Sequence, residues 1–334
     1  MNAAASPSPS PIGVLVMAHG TPATPQEIEP FYTSIRRGRP PTPELLADLV
    51  RRYDALGGAS PLAERTRRQV EGLAATLEVV APGDYTIAYG AKHTTPRIEE
   101  GVAVLRDRNV EQIIGLVLTP HQSSLGSGEY LRRAGEAAGV AGATTPPTEF
   151  VAIPSWHRAP GLAALLADRT RAALESLTPA QRQKTTVFFT AHSLPEKAVA
   201  DGDPYPDQVQ QSASDIADLL GFDPGSGSGS GPGSGPAWGV AWQSPGRTAD
   251  PWMGPDLVSE IRRVAADGAT SVVVCPVGFV SDHLEILYDL DIEAADVARS
   301  LGMAFTRTAS LNDDPGFLRI LADVVRATTT PTTR

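Results

Sequence analysis

The chain has 334 residues, 41% apolar and 20% charged, with a formal charge of −10. That is a globular balance, and an acidic protein without a basic surface run is a poor partner for nucleic acid. One cysteine, Cys275, excludes an intramolecular disulfide and an iron–sulfur cluster held by four cysteines of this chain.

The first segment, 1–11, is Ala/Ser/Pro-rich. It lacks the basic and apolar parts of a secretory signal and reads as a disordered tail. No apolar run reaches the ~18 residues that span a bilayer, so the expected location is cytoplasmic. Residues 12–18 form a short buried-strand run, and 43–56 and 61–80 carry apolar residues at helical spacing. A strand follows at 85–89, a helix at 97–108 and a strand at 112–119. Beyond them come a helix at 159–176, a strand at 185–190 and a helix at 207–220. The low-complexity stretch 225–236 reads as a flexible loop. A strand at 238–243, a helix at 256–266, a strand at 271–277 and a long helix at 281–301 complete the pattern, and 328–334 is expected to fray. This alternation predicts parallel sheets covered by helices on both faces.

The pattern also repeats. GVLVMAHGTP near the start is echoed by TVFFTAHSLP in the middle. IIGLVLTPHQSS and SVVVCPVGFVSDH are a weaker second pair of strands running into a proline. Two sister α/β domains follow, expected at 12–155 and 156–327, with ligands outside the carboxyl ends of the strands. Charge is uneven. Residues 1–110 hold 12 basic and 12 acidic residues, so the acidic excess lies beyond them. Arg36, Arg37, Arg39, Arg51 and Arg52 read either as solvated helix faces or as a site for a small polyanion.

His192 stands at a strand end, in TAHSLPEK. It reads as a hydrogen-bonded structural residue or as a metal ligand and base, since neutral imidazole serves both roles near neutral pH. Glu285, Asp289 and Glu293, spaced i, i+4, i+8, put three carboxylates along one helical face, with Asp282 and Asp296 near the same stripe. This is either a solvent-facing acidic stripe or a track for Fe(II) or Mg(II), and no lysine or arginine between 282 and 296 relieves the repulsion. His19, in MAHGTP, is the sister of His192. Lys92, His93 and His121 also follow strand-like runs. Gly-x-Ser-x-Gly, Gly-x-Gly-x-x-Gly, a phosphate loop and zinc-finger spacing are absent, which weakens the usual α/β functions.

At these residues the sequence resembles the ferrochelatases, more closely the soluble Gram-positive type that makes iron-coproporphyrin. The motifs RRYDALGGxSPL, AHSLPEK, WQSxGRTxDPWMGPD and GFVSDHLEILYD carry the likeness, which runs from about residue 12 to residue 295. The resemblance implies two Rossmann-type domains with a cleft between them. It implies that His192 and Glu285 converge from opposite lobes on the inserted metal, and that Asp289 and Glu293 line its path. It implies that Arg36, Arg52, Tyr53, Ser60 and Tyr130 contact the porphyrin and its propionates, with Ile35 against the macrocycle. Lys92 and His93 fall at the back of the cleft, and Trp252 supports its wall. His19 stands where that type usually has a tyrosine able to ligate product iron. The expected substrates are Fe(II) and coproporphyrin III or protoporphyrin IX. No permanent cofactor or iron–sulfur cluster is expected, with Mg(II) an option at the acidic stripe. A monomer served by an iron donor and a downstream haem-synthesis enzyme completes the expectation. A chelatase for another tetrapyrrole and a non-catalytic porphyrin carrier are the alternatives. The former tend to be shorter and lack the WQSxGRTxDPWMGPD stretch, and a carrier needs no acid/base pair.

Overall fold

A computed structural model describes residues 10–140, 147–222, 236–248 and 250–329. The expected tails fall largely outside this range, as does the 225–236 loop apart from Pro236. Thr328 still belongs to a helix.

Two parallel four-stranded sheets form the frame. The first contains β1 (Ile12–Ala18), β2 (Tyr85–Ala91), β3 (Gln112–Val117) and β4 (Glu149–Ala152), in the order β2-β1-β3-β4. The second contains β5 (Thr185–His192), β6 (Ala237–Gln243), β7 (Ser271–Cys275) and β8 (Ala304–Arg307), in the order β6-β5-β7-β8. The two orders are the same, and every pairing is parallel. Helices cover both faces, so the inner strands are apolar on both sides. Val14, Leu15, Val16 and Met17 of β1 are fully buried, as are Val187, Phe189 and Ala191 of β5.

One apolar cluster draws on both sheets, joining Val14, Val16, Ile114 and Leu116 to Val187, Phe189, Val273 and Cys275. The helix Pro315–Thr328 belongs to it and packs against the helix Leu62–Val80 of the first half. The contact needs a glycine: a Cβ on Gly72 would lie 2.4 Å from Leu318 Cδ1.

Three features differ from expectation. β4 and β8 are four-residue edge strands with no periodic signal. The helices Ile28–Ile35, Ser127–Gly139 and Pro315–Thr328 were not foreseen. The long helix expected at 281–301 is broken. His283 is extended (φ −157°, ψ −177°), and the chain then turns through Leu284–Leu287, a π-helix at Asp289–Ala294 and an α-helix at Ala295–Ser300. Glu293 N bonds Tyr288 O at 2.9 Å, five residues back. Asp282 stays outside the helix: its N–H donates to Asn312 Oδ1 and its carboxylate accepts from Arg307, Ser310 and Asn312.

Candidate active site

Strand pairing continues past the end of β1. Lys92 N bonds Ala18 O at 2.9 Å and His93 N bonds His19 O at 3.1 Å. The rings of His19 and His93 are thereby set 4.7 Å apart, with Phe31 edge-on to both. His93 Nδ1 lies 3.0 Å from Ser34 Oγ. Gly20 turns the chain in the left-handed region at φ 84°, which a side chain would oppose. Thr21, next in line, meets the buried hydroxyl of Tyr53 at 3.1 Å. Burial lowers the His93 pKa to about 2, helped by His19 and Lys92. His19 keeps an exposed face, and desolvation by the groups around it lowers its pKa to about 4 against the opposing charge of Glu285. Both imidazoles are therefore neutral at pH 7.

In the second half, β5 ends on His192. Its Nδ1 donates to Ser193 O, which turns Nε2 toward Glu285 Oε1 at 3.6 Å. His283 Nε2 stands 3.6 Å from the other oxygen, Glu285 Oε2. Each side chain of the central pair keeps 34% of its surface open to the cleft. Burial alone would lower the His192 pKa, but the charge and hydrogen bond of Glu285 outweigh it and raise the value to about 9. Burial would raise Glu285, and the two imidazoles hold it well below the usual carboxylate range instead. The unliganded site is thus an imidazolium–carboxylate pair.

The two residues do not converge from opposite lobes, as the sequence led us to expect. Both hang from the second sheet, because the crossover after β7 brings Glu285 back beside the end of β5. Gly278 permits this: a Cβ there would lie 2.6 Å from Ala191 Cβ. Gln243, at the end of β6, holds Glu285 in place. Its Nε2 donates to Glu285 O (3.3 Å), while its Oε1 accepts from Thr190 (2.8 Å) and its carbonyl from Ser193 N (2.8 Å). The facing wall comes from the first half. The Glu285 charge reaches His19, Tyr53 and Tyr130 there, and Asp289 on its own side.

Asp289, one turn beyond Glu285, is buried. It accepts from Ser244 Oγ and pairs with Arg52 at 3.2 Å. Burial and then the Glu285 charge raise its pKa to about 6, against Ser244 and Arg52. Glu293 is exposed at the outer end. In an α-helix each i, i+4 step drifts by about 40° around the axis, because a turn takes about 3.6 residues. The wider π turn takes back part of that drift, and the Glu293 charge still reaches Asp289. The stripe is less acidic than its sequence: Arg52 pairs with Asp289, and Arg307 pairs with Asp282 (3.2 Å) and Asp291 (2.6 Å).

The remaining expected residues divide into open and enclosed. Ile35, 37% exposed, is an uncovered apolar side chain at the end of its helix. Arg36 beside it lies 5.8 Å over the Tyr32 ring, and its Nε is buried without a hydrogen-bond partner. Tyr53, Ser60 and Tyr130 are buried, and Ser60 Oγ accepts from Leu62 N at 3.3 Å. Lys92 is occupied by Glu129 (2.7 Å) and lies over the Tyr130 ring at 5.0 Å. His121 turns away from the cleft to Ser212 at 2.9 Å. Trp252 flanks His192, with ring centroids 6.3 Å apart. His283 and the positioning residue Gln243 were not singled out from the sequence. The signal for His283 was its place two residues before Glu285 in SDHLE.

Two like α/β halves with an acid–base pair at the carboxyl ends of one sheet define a chelatase-like fold. Solved structures agree on the architecture. CbiX, described as the terminal enzyme of sirohaem biosynthesis in denitrifying bacteria, superposes with a TM-score of 0.54 at 15% identity, covering 95% of this chain and all of that one. SirB from Bacillus subtilis, solved with Fe3+, gives 0.54 at 12% identity, covering 95% of each. The sequence comparisons go further. The ferrochelatase family's sequence model matches residues 11–329. A ferrochelatase of Herpetosiphon aurantiacus is 38% identical over 312 residues, covering 93% of this chain and 97% of its own. Coproporphyrin III ferrochelatases of Anoxybacillus flavithermus (39%) and Bacillus mycoides (40%) align over 316 residues, covering 94% of this chain and 95% and 96% of theirs. The chain belongs to the ferrochelatase family and is an enzyme of that metal-inserting class.

Proposed function

We propose that this enzyme inserts Fe(II) into coproporphyrin III in haem biosynthesis, with iron and porphyrin both as substrates and no resident cofactor. The observation that carries the reading is the 3.6 Å contact of His192 with Glu285 at the cleft floor, with neutral imidazoles opposite. Insertion exchanges two pyrrole N–H protons for one Fe(II), so the site must accept protons where it delivers a dication. Before iron arrives, His192 carries a proton because Glu285 is ionised beside it. Fe(II) bound to Glu285 takes over as counter-charge. Burial then drives that proton out through the open side of the site to solvent, and the neutral imidazole takes the two pyrrole protons one after the other and releases each by the same route. Asp289 and Glu293 lead the cation inward, and the same pair of carboxylates is where a hydrated Mg(II) would rest. The flat macrocycle lies against Ile35, and its carboxylates engage Arg36, whose buried Nε lacks a partner, and Arg52. His19 faces the ring from the other side.

No helix of the described residues is long and apolar enough to cross a membrane, and a freely diffusing monomer in the cytoplasm, supplied by an iron donor and relieved by the next haem-synthesis enzyme, accords with this reading. The test is turnover. Purified enzyme with Fe(II), followed by absorbance, should convert coproporphyrin III faster than protoporphyrin IX. Absence of metalation with either porphyrin would refute the proposal.

A further inference from the structure

The rim of the cleft carries a charge surplus. Asp48, in the helix Pro43–Ala55, is shared by three guanidinium groups: Arg51, Arg52 at 3.4 Å and Arg247 at 3.1 Å. Arg52 also serves Asp289, and its guanidinium lies 4.9 Å over the Tyr288 ring. Three cations thus meet two carboxylates, and one positive charge is left without an anion. Arg247 is the member that belongs to the second half. Its side chain is 50% exposed, and Asp48 is its one ion-pair partner among the described residues.

The loop that carries Arg247 is fixed at both ends. Ser244 Oγ donates to Asp289. Gly246 is covered by the Trp252 indole, where a Cβ would lie 2.4 Å from the ring. Trp252 flanks His192 and its Nε1 donates to Thr248 Oγ1 at 3.1 Å. Arg247 therefore sits within the span between Asp289 and the tryptophan that borders the reacting pair, and it points across to the first half.

We propose that Arg247 is a substrate-binding residue that grips a porphyrin carboxylate from the second wall of the cleft and so selects rings with carboxylates around their whole perimeter. The inference rests on the porphyrin reading of the cleft. Arg36 and Arg52 supply guanidinium groups from the first half only. Protoporphyrin IX has carboxylates on two adjacent pyrrole rings, which one wall can satisfy. Coproporphyrin III has one on each of its four rings, and those on the far rings need a cation from the other wall. A guanidinium fork matches a carboxylate in two parallel hydrogen bonds, and Asp48 holds it in readiness until the substrate replaces it.

The experiment measures binding of each metal-free porphyrin by fluorescence titration, so its outcome does not depend on iron insertion. Arg247→Gln is expected to weaken coproporphyrin III by about five- to twentyfold, with protoporphyrin IX changed less than about twofold. The second variant, Asp48→Asn, separates this role from a tie between the halves. It releases Arg247, so coproporphyrin III should bind as well as to wild type or better. Equal weakening of both porphyrins by Arg247→Gln, no weakening of either, or a loss in Asp48→Asn that matches Arg247→Gln would overturn the proposal. Failure of the enzyme to metalate any porphyrin would instead strike the functional reading and leave these binding ratios standing.

Discussion

β1 and β5 occupy the same place in two sheets of the same order, and each delivers a histidine from an Ala-His turn. The chemistry at the two ends is opposite. His19 is driven neutral by desolvation, with Lys92 beside it, against the more distant Glu285 charge, whereas His192 lies directly against Glu285 and is held protonated up to about pH 9. Strand topology fixed where the imidazoles stand, and the neighbour that the next crossover brings decided what each can do. β2 brings His93, while the segment after β7 brings Glu285. A duplicated scaffold can thus place one wall that binds and one that moves protons.

The largest expected effect tests that division. His192→Ala should lower the rate of iron insertion by about 10²- to 10⁴-fold, the usual reach of a general acid or base, while porphyrin still binds. His19→Ala should cost less than about tenfold in kcat. Stopped-flow metalation with parallel porphyrin titrations checks both, and equal losses would erase the distinction. Next is Glu285→Gln. With its carboxylate partner gone and burial retained, the NMR titration midpoint of His192 should fall from about 9 to 6.5 or below. A midpoint that stays near 9 would mean another group holds the proton.

The same pair predicts a pH window for stability. A raised His192 pKa stabilises the fold fully below 6.5, and that contribution is lost as pH rises through about 9. A lowered Glu285 pKa contributes above 4.5 and is lost as pH falls below it. Chemical denaturation should therefore show the gap between wild type and Glu285→Gln widest between about pH 4.5 and 6.5, narrowing toward pH 9. The smallest effects compare the two turns themselves. Gly20→Ala must hold φ 84° with its Cβ 2.2 Å from Thr94 Oγ1 and should cost about 1–3 kcal/mol. The sister change Ser193→Gly removes one 2.9 Å hydrogen bond to Met253 O and should cost about 1 kcal/mol. Urea midpoints of the two variants give the ranking.

Much of this was legible in the residues. The central strands, each a run of apolar residues, and the Ala-His repeat foretold two like sheets, and His192 and Glu285 do meet. What escaped has physical reasons. β4 and β8 are edge strands too short for alternation to register. The break in the 281–301 segment was hidden because its apolar positions are regular. Ile286, Leu290, Ala294 and Ala298 are all fully buried, but their spacing is four throughout. An α-helix turns every 3.6 residues, so a strict four would spiral off the core, and the π turn brings it back. That spacing was the available sign. The pairing of Arg52 with Asp289 and of Arg307 with Asp282 joins residues far apart in sequence, and no local pattern could announce it. Lys92 and Tyr130 are assigned to the substrate by likeness; in the unliganded site Lys92 pairs with Glu129 and lies over the Tyr130 ring.

The helix Pro315–Thr328 has a consequence for biosynthesis. It leaves the ribosome after both sheets, yet it covers Leu73 and Leu77 of the first half and lodges Leu318 over Gly72. Until then the nascent first half presents a bare apolar flank. A polypeptide stopped before residue 315 is therefore expected to leave that flank open to aggregation and proteolysis.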